Sequence, residues 1–276
     1  MWAQLTMRSV RSDPVTDWRA VLHENLRLPD GLSLAGAVAE LTEAARSPDP
    51  VLRDELGLTV LLDLAPRLDP GLRHTLGASM AARFLDPEIQ ARTFAALILA
   101  ELVSQGEFEP SWLAAFTAWY PAETDLRGYD QELGWLHAVA HGADLLGAFG
   151  CCPQVDPASM LRLAAARLLA PTDYVLRDQE DDRLGYAMAL TCTRAELTEA
   201  ESVDWLDPIA ADFEAGGPGP VPPHASNSMR TLRMLYLLAD RGVLPPGGGD
   251  PMPFAHPNAV KRRLAEVLAL AAPYAG

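Results

Sequence analysis

The chain has 276 residues, of which 49% are hydrophobic, and it carries a formal net charge of −15 at pH 7 with only 3 cysteines. This length suffices for one large domain with a sizeable core. The negative charge excludes general binding to nucleic-acid phosphates, which needs clustered lysine and arginine. The odd cysteine count, with Cys151 and Cys152 adjacent, indicates no disulfide framework, so we expect a reducing, cytoplasmic location.

The amino terminus and the hydropathy pattern give no indication of a membrane partner. The first 18 residues lack the apolar segment of a secretory signal, and no uncharged run approaches the ~20 residues of a spanning helix. Aromatic residues make up only 7% of the chain, which is rich in alanine and leucine. This composition favours helix over strand.

Asp-Pro pairs mark the starts of several predicted helices. Five of these pairs, at residues 49, 69, 86, 156 and 207, are each followed by a helical pattern. An aspartate at the N-cap accepts hydrogen bonds from the free N–H groups of the first turn, and a following proline presets the helical φ. Apolar periodicity completes the prediction of twelve helices and no sheet, at 14–26, 34–46, 50–65, 70–84, 87–105, 110–119, 130–149, 157–170, 173–191, 195–214, 226–241 and 257–272.

The spacing of these helices predicts how they assemble. The first three of these five Asp-Pro pairs lie 20 and 17 residues apart, which is close to one helix pair of a HEAT or armadillo repeat, roughly 40 residues. We therefore predict an all-α, HEAT/armadillo-like α-solenoid of antiparallel helix pairs, forming a single superhelical domain over residues 1–276 with a concave groove. A closed α/α toroid has the same local pattern and remains the alternative.

One predicted helix carries an unusual polar stripe in an apolar segment, GWLHAVAHGADLLGAFG. From Gly134 to Gly150 the polar residues are His137, His141 and Asp144. At about 100° per residue the three form one narrow stripe, and no charged face remains for bulk water. We predict that they lie on one helix face, mostly shielded from solvent. A buried carboxylate is costly without a partner, so Asp144 must meet a histidine, an arginine or a cation.

Three interpretations of the stripe remain open. The first is a fully paired structural network that pins neighbouring helices. The second is a ligand-binding or catalytic pocket with one histidine as a general base near neutral pH. The third is a metal site, but Ala138 stands where a zinc protease has glutamate after the first histidine. We predict no tightly bound metal, no cofactor, and a His–Asp–Arg network in their place.

The segment from Glu123 to Leu146, ETDLRGY followed by GWLHAVAHGADLL, resembles a bacterial family called domain of unknown function 2785. In that family an E-x-D-x-R-G-[FY] turn precedes G-W-x-H-x-x-A-H-x-A-D. RTFAALIL at 92–99 and EDDRL at 180–184 are similar to two further family segments, and the likeness extends loosely from about Leu52 to Leu190. The resemblance implies an all-helical, armadillo-like fold and no established activity.

The resemblance also highlights six polar residues beyond the stripe. Equivalent helices of a solenoid line one groove, so we expect these residues to converge on the stripe. In particular, Arg92 or Arg127 is expected within ion-pair reach of Asp144 or of the acidic cluster at 180–182. The alternatives without a functional role are that the acidic cluster is a solvated helix start and that Arg127 only caps a helix. The six residues are Arg92, Asp125, Arg127, Glu180, Asp181 and Arg183.

The sequence lacks the common catalytic and nucleotide-binding motifs. It contains no GxSxG, no P-loop, no GxGxxG and no paired CxxC. The functional prediction is therefore a binding module with a concave polar pocket for an unidentified small molecule or protein. The alternative is a hydrolase with a histidine-centred active site, with or without a metal.

Overall fold

The computed structural model of the protein describes residues 16–272 and 274. The predicted start of the first helix at residue 14 and most of the amino-terminal segment tested for a signal lie outside these residues. Over the described part the chain is mostly helical, which confirms the all-α class. Its helices are α1 (Trp18–His23), α2 (Leu34–Ala44), α3 (Thr59–Leu64), α4 (Pro70–Arg83), α5 (Ile89–Ser104), α6 (Pro110–Trp119), α7 (Ala138–Cys151), α8 (Pro157–Leu169), α9 (Glu180–Cys192), α10 (Asp207–Glu214), α11 (Pro223–Arg241) and α12 (Pro257–Ala271).

The helix starts follow the capping chemistry in part. Asp69 and Asp156 are N-caps whose side chains accept from the backbone N–H of the first turn. Asp86 also accepts from the N–H two residues on, that of Glu88, but here the helix, α5, begins at Ile89 and not at the proline. Within the described ranges, no helix is long and apolar enough to cross a membrane.

Three predicted helices begin later than expected or are irregular. The segment 50–65 starts as a π-helical stretch, Val51–Leu58, before α3. The segment 173–191 is helical only from Glu180, because Gln179 has a left-handed backbone with φ 66°. The segment 195–214 is a turn region followed by the short 3-10 turn Asp204–Leu206 and α10.

The prediction of a helix over 130–149 is wrong at its start. Residues Tyr129–Asp130 (β1) and Gly134–Trp135 (β2) form a two-stranded antiparallel hairpin, and α7 begins only at Ala138. The Asp130 carboxylate accepts from the N–H groups of Glu132 and Leu133, which closes the turn. Gly134 follows with φ 70°, a conformation that a helix does not allow. The prediction of no sheet therefore fails at this small hairpin.

The helices pack in two layers. In one layer α7 lies between α5 and α9, α11 packs on the other side of α9, and α12 packs on α11. In the other layer α4 contacts α6, and α8 contacts α10. Apart from the α11–α12 pair, helices two apart in the chain are thus neighbours within a layer, and one continuous apolar core joins the helices of both layers.

Glycines allow α7 to approach its neighbours closely. A Cβ atom added to Gly142 would lie 2.1 Å from Cε2 of the buried Tyr120 ring, and one on Gly150 would lie 2.0 Å from Oγ1 of Thr191. Tyr120 is fixed in turn, because its hydroxyl donates to the carbonyl of Val139 at 2.8 Å. This packing sets the position of α7 against α9, and with it the site described next.

Candidate functional site

Arg92 anchors the loop that leads into the hairpin. Its Nε donates to the buried Glu123 carboxylate at 2.6 Å, and Trp119 Nε1 donates to the same carboxylate at 2.8 Å. Burial alone would raise the pKa of Glu123, but Arg92, the Asp125 N–H and Trp119 outweigh it and hold that pKa below its ordinary value. Arg92 therefore has a structural partner far from Asp144.

Arg127 is also occupied locally. Its guanidinium forms a two-pronged pair with Asp125, with distances of 2.6 and 2.8 Å, and a further ion pair with Asp130. The prediction that Arg92 or Arg127 pairs with Asp144 or with the acidic cluster is therefore wrong. The two arginines and Asp125 instead shape the loop that carries the hairpin.

His137 lies just before α7 rather than on its face. Its backbone is left-handed, with φ 48° and ψ 44°, and its N–H donates to the carbonyl of Arg127 at 3.2 Å. The imidazole stacks flat on Trp135, with ring centroids 4.5 Å apart and planes within 5°. The prediction of one helix face for all three stripe residues fails at His137, because the hairpin replaces the first two turns of the predicted helix.

Glu180, at the start of α9, faces the His137 ring. Its side chain is fully buried, and Oε1 lies 3.6 Å from Nδ1 of His137, an ion-pair distance at which neither atom has a hydrogen-bond partner. The other oxygen accepts from the N–H of Asp178 at 2.8 Å. Burial favours a raised pKa for Glu180, but His137 and the backbone N–H groups prevail and lower it. Glu180 is therefore a carboxylate that keeps its charge inside the protein.

Gly128 makes the contact between the two segments possible. A Cβ atom at this position would lie 2.3 Å from Oδ2 of Asp178 and 2.4 Å from Oε1 of Glu180. The Gly128 N–H donates to the hydroxyl of Tyr174 at 3.1 Å. The Arg-Gly-Tyr turn of the sequence motif thus has a steric reason: any side chain at 128 would displace Glu180.

His141 and Asp144 lie on α7 in different surroundings. His141 is buried with its ring T-shaped to Phe94, and burial, together with the repulsion that a protonated His137 and Arg183 would exert, lowers its pKa well below the ordinary value. Asp144 is half-buried and accepts from Nε of Arg183 at 2.9 Å, with a second bond from the same guanidinium. Burial raises the pKa of Asp144, although Arg183 opposes the shift.

Two adjoining cavities lie on this face of the protein. The polar pocket, about 650 Å³, is lined by Trp135, His137, Ala140, Arg177, Asp178, Gln179, Asp182, Arg183, Tyr186 and Met234. The apolar groove, about 960 Å³, lies between α5, α7 and α9, and among its lining residues are Leu62, Leu97, Ala143, Gly147, Ala148, Ala187 and Leu190. Arg183 and Tyr186 belong to both linings, and Asp144 lines the groove beside them.

Some of the predicted site residues line the cavities, and others are buried beside them. His137, Asp144 and Arg183 line the cavities, Glu180 lies under His137, and His141 is buried one turn into α7. Asp181 lies at the same helix start, where it pairs with Arg230 at 2.6 Å. Arg230 is a partner that the sequence analysis missed, since nothing in its helix distinguishes it from other surface arginines.

Trp135, Arg177, Asp178 and Gln179 are pocket residues that the analysis also missed. Arg177 and Asp178 stand directly before the acidic segment at 180–184, so their place in the sequence is a signal that could have indicated them. Trp135 falls within the segment 130–149, which is predicted as one helix, so nothing there indicates a residue that faces a pocket from a strand. The left-handed Gln179 has no sequence signal, because glutamine rarely adopts this conformation.

A buried arginine outside the predicted set positions the hairpin. The Arg53 side chain is fully buried, and its NH2 group donates to the carbonyls of Leu133 at 2.7 Å and Trp135 at 3.2 Å. Its guanidinium also lies 4.6 Å from the centre of the Phe94 ring. Arg53 thereby fixes the strand that presents Trp135 to the polar pocket.

The donor set of the site does not have the arrangement of a metal centre. Over residues 16–272 no group of three or more histidine, cysteine, aspartate or glutamate side chains could hold a metal ion. Asp144 and Asp181 instead pair with arginines, and Glu180 faces a histidine.

The lowered pKa of His141 predicts loss of stability in acid. Below about pH 6.5 a histidine in the unfolded chain takes up a proton that buried His141 does not bind, so the unfolding free energy falls by up to about 1.4 kcal/mol per pH unit. Urea unfolding at several pH values should show a shallower acid decline for His141→Gln. His23→Gln, at an exposed position in α1, is the control and should decline like the natural protein. Equal slopes for all three proteins would contradict the assignment.

Comparison with known proteins gives one match. Residues 81–237 match the family model described as "Protein of unknown function (DUF2785)", which includes the hairpin, α7 and α9. The matched region begins at residue 81, later than the likeness that starts at about Leu52. It ends at residue 237, beyond Leu190, where that likeness ends. No curated protein and no solved structure matches the chain. Since the matched region covers more than half of the 276 residues, the chain belongs to this family of unknown function.

Proposed function

We propose that the protein is a binding module that holds a small molecule between the polar pocket and the apolar groove. The observation that carries this proposal is the Trp135–His137 stack at the pocket wall. Trp135 is 45% exposed, yet Arg53 and the hairpin fix its backbone. A large, immobilised and solvent-facing aromatic side chain beside a concave cavity is typical of a ligand contact.

The proposed architecture is an α-solenoid of HEAT/armadillo-like helix pairs that forms one domain. Its support is the side-by-side order of α5, α7, α9 and α11, with α4, α6, α8 and α10 in the second layer. In such an arrangement the cavities between α5, α7 and α9 belong to the surface formed by equivalent helices of successive pairs. This is the surface on which solenoids bind their partners.

The size and chemistry of the two cavities support a small molecule as the occupant. Each has the size of a typical ligand pocket, about 300–1,000 Å³, with about 650 and 960 Å³ respectively. The groove is lined mainly by alkyl side chains, and the pocket supplies charged and aromatic groups that would orient one end of a ligand. We retain a reducing location for the protein, consistent with its free Cys151, Cys152 and Cys192.

A neutral apolar dye tests the proposed site. Nile red should bind saturably at one site, because the groove offers one continuous apolar surface. Ala148→Phe places a ring in the groove from a half-buried position and should weaken binding about tenfold, or about 1.4 kcal/mol. Binding can be followed by dye fluorescence at fixed protein concentration.

The matched control is Leu85→Ser, which removes a side chain that is 91% exposed and lies outside both cavities. It should leave the affinity for Nile red unchanged. Unsaturable binding would contradict the proposed site. So would an affinity that falls in Leu85→Ser and not in Ala148→Phe.

A hydrolase is the second candidate function, and the His137–Glu180 contact is the observation that favours it. A buried carboxylate next to Nδ1 keeps the proton on that nitrogen and leaves Nε2 free to act as a general base. The strained left-handed backbone of His137 is of the kind that clusters at functional sites. Among the described residues that line the polar pocket there is no serine, threonine or cysteine. Water would therefore be the nucleophile.

Ester hydrolysis distinguishes this second function. With 4-nitrophenyl butyrate as substrate, general-base catalysis predicts that His137→Gln lowers kcat by about 100-fold or more. His23→Gln should leave the rate unchanged, since His23 is exposed at the end of α1. If His137→Gln hydrolyses the ester as fast as His23→Gln does, His137 has no catalytic role, and the binding function remains.

A further inference from the structure

We infer that the ligand is an amphiphile with a cationic head and an apolar tail. The head would occupy the polar pocket, and the tail would lie along the apolar groove. This inference rests on the proposed binding function and adds the chemical class of the ligand. It depends on the charges around the pocket, on the exposed aromatic rings, and on the continuity of the two cavities.

The carboxylates around the pocket outnumber the free basic groups. Asp178 and Asp182 line the pocket, and the buried Glu180 lies beneath it, with Oε1 facing His137. The ion pairs found over residues 16–272 include neither Asp178 nor Asp182. Arg183 is already neutralised by its two bonds to Asp144. The charge left for a ligand is therefore negative.

Arg177 does not reverse this balance. Its guanidinium lies over the Tyr174 ring, 5.0 Å from the centroid, and its Nε donates to the Tyr174 hydroxyl at 3.3 Å. Asp178 accepts from the same hydroxyl at 3.3 Å, so the arginine and one pocket carboxylate are joined through a single tyrosine. The opposing charges of Arg177 and Asp178 offset each other. Asp182 is then the carboxylate of the pocket lining whose charge is not offset.

The start of α9 offers nothing to an anion. The N-terminus of a helix attracts negative groups, but three carboxylates of the chain, Glu180, Asp181 and Asp182, already fill its first turn. The net charge of −15 adds a long-range preference for cations. A phosphate or carboxylate ligand would be repelled by these carboxylates, and the two arginines of the pocket lining, Arg177 and Arg183, are already offset by Asp178 and Asp144.

The aromatic side chains supply the complementary attraction. Tryptophan is the ring that binds cations best through its π face, and the interaction strengthens when water is excluded. One face of Trp135 is covered by the His137 ring, which leaves the other face for a cation; Tyr129, 50% exposed, packs at 71° to Trp135 with ring centroids 4.9 Å apart, outside the pocket lining. Met234 lines the same pocket and offers a polarisable side chain. Aromatic rings and a carboxylate together recognise an ammonium group.

The groove provides the space for the tail. Ala143, Gly147 and Ala187 line the groove, and a Cβ atom on Gly147 would lie 3.3 Å from Cβ of Ala187, so α7 and α9 meet closely beneath the groove. Because Arg183 and Tyr186 line both cavities, an apolar tail in the groove can be continuous with a head in the pocket. The Asp144–Arg183 pair marks the boundary between the two.

Calorimetric titration with three amphiphiles of equal chain length tests the inference. The probes are decyltrimethylammonium, decyl sulfate and decyl maltoside, each below its micelle concentration and at physiological ionic strength. We expect decyltrimethylammonium to bind at least about tenfold more tightly than the other two, since cation–π and carboxylate contacts act only on it. Asp182→Asn and Trp135→Leu should each reduce this preference, and Ala148→Phe should weaken all three.

Glu40→Gln is the matched control for Asp182→Asn. It changes the net charge by the same amount at an exposed position on α2 and should leave the preference unchanged. An equal loss in both variants would show that the preference reflects net charge alone, and would overturn the inference. Equal affinities for all three probes, or tighter binding of the sulfate, would overturn it while preserving the binding function. Failure of every probe to bind, or binding unaffected by Ala148→Phe, would reject both proposals.

Discussion

The contact between His137 and Glu180 is the constraint on which the geometry of the site depends. It joins the residue before α7 to the first residue of α9, across 3.6 Å, with the carboxylate fully shielded from solvent. A buried charge without a partner costs several kcal/mol. The segments that carry the two groups are therefore held in register. Gly128 is part of the same constraint, because only a residue without a side chain leaves room for Glu180.

Two unusual backbone conformations accompany this contact. His137 and Gln179 both have left-handed φ values, and each stands immediately before one of the two helices. Such conformations cost about 1–3 kcal/mol each and persist only where the surrounding structure enforces them. Here the enforcement comes from the Trp135 stack on one side and from the Asp178–Glu180 hydrogen bond on the other. The strain coincides with the polar pocket, where both residues line the wall.

The sequence predicts the class of fold and most helix positions, because capping aspartates and apolar periodicity act locally. Asp69 and Asp156 show this directly. It fails at residues 129–137, where the same apolar pattern fits either a helix or a hairpin, and where Gly134 and the Asp130 turn decide the outcome. Ion-pair partners are the least predictable feature, since they depend on how helices pack. Asp144 meets Arg183 from the neighbouring helix and Arg92 on α5 meets Glu123 beyond α6, whereas Arg127 pairs within its own loop.

The tautomer of His137 tests the central claim most directly. If the charged Glu180 carboxylate accepts from this ring, nitrogen NMR of the neutral histidine side chains should show His137 with its proton on Nδ1 and a bare Nε2 towards the pocket, with the signal assigned by its loss in His137→Gln. Glu180→Gln should abolish this preference, because its amide can donate as well as accept. A proton on Nε2 in the natural protein, or equal population of both tautomers there, would contradict the account of the site.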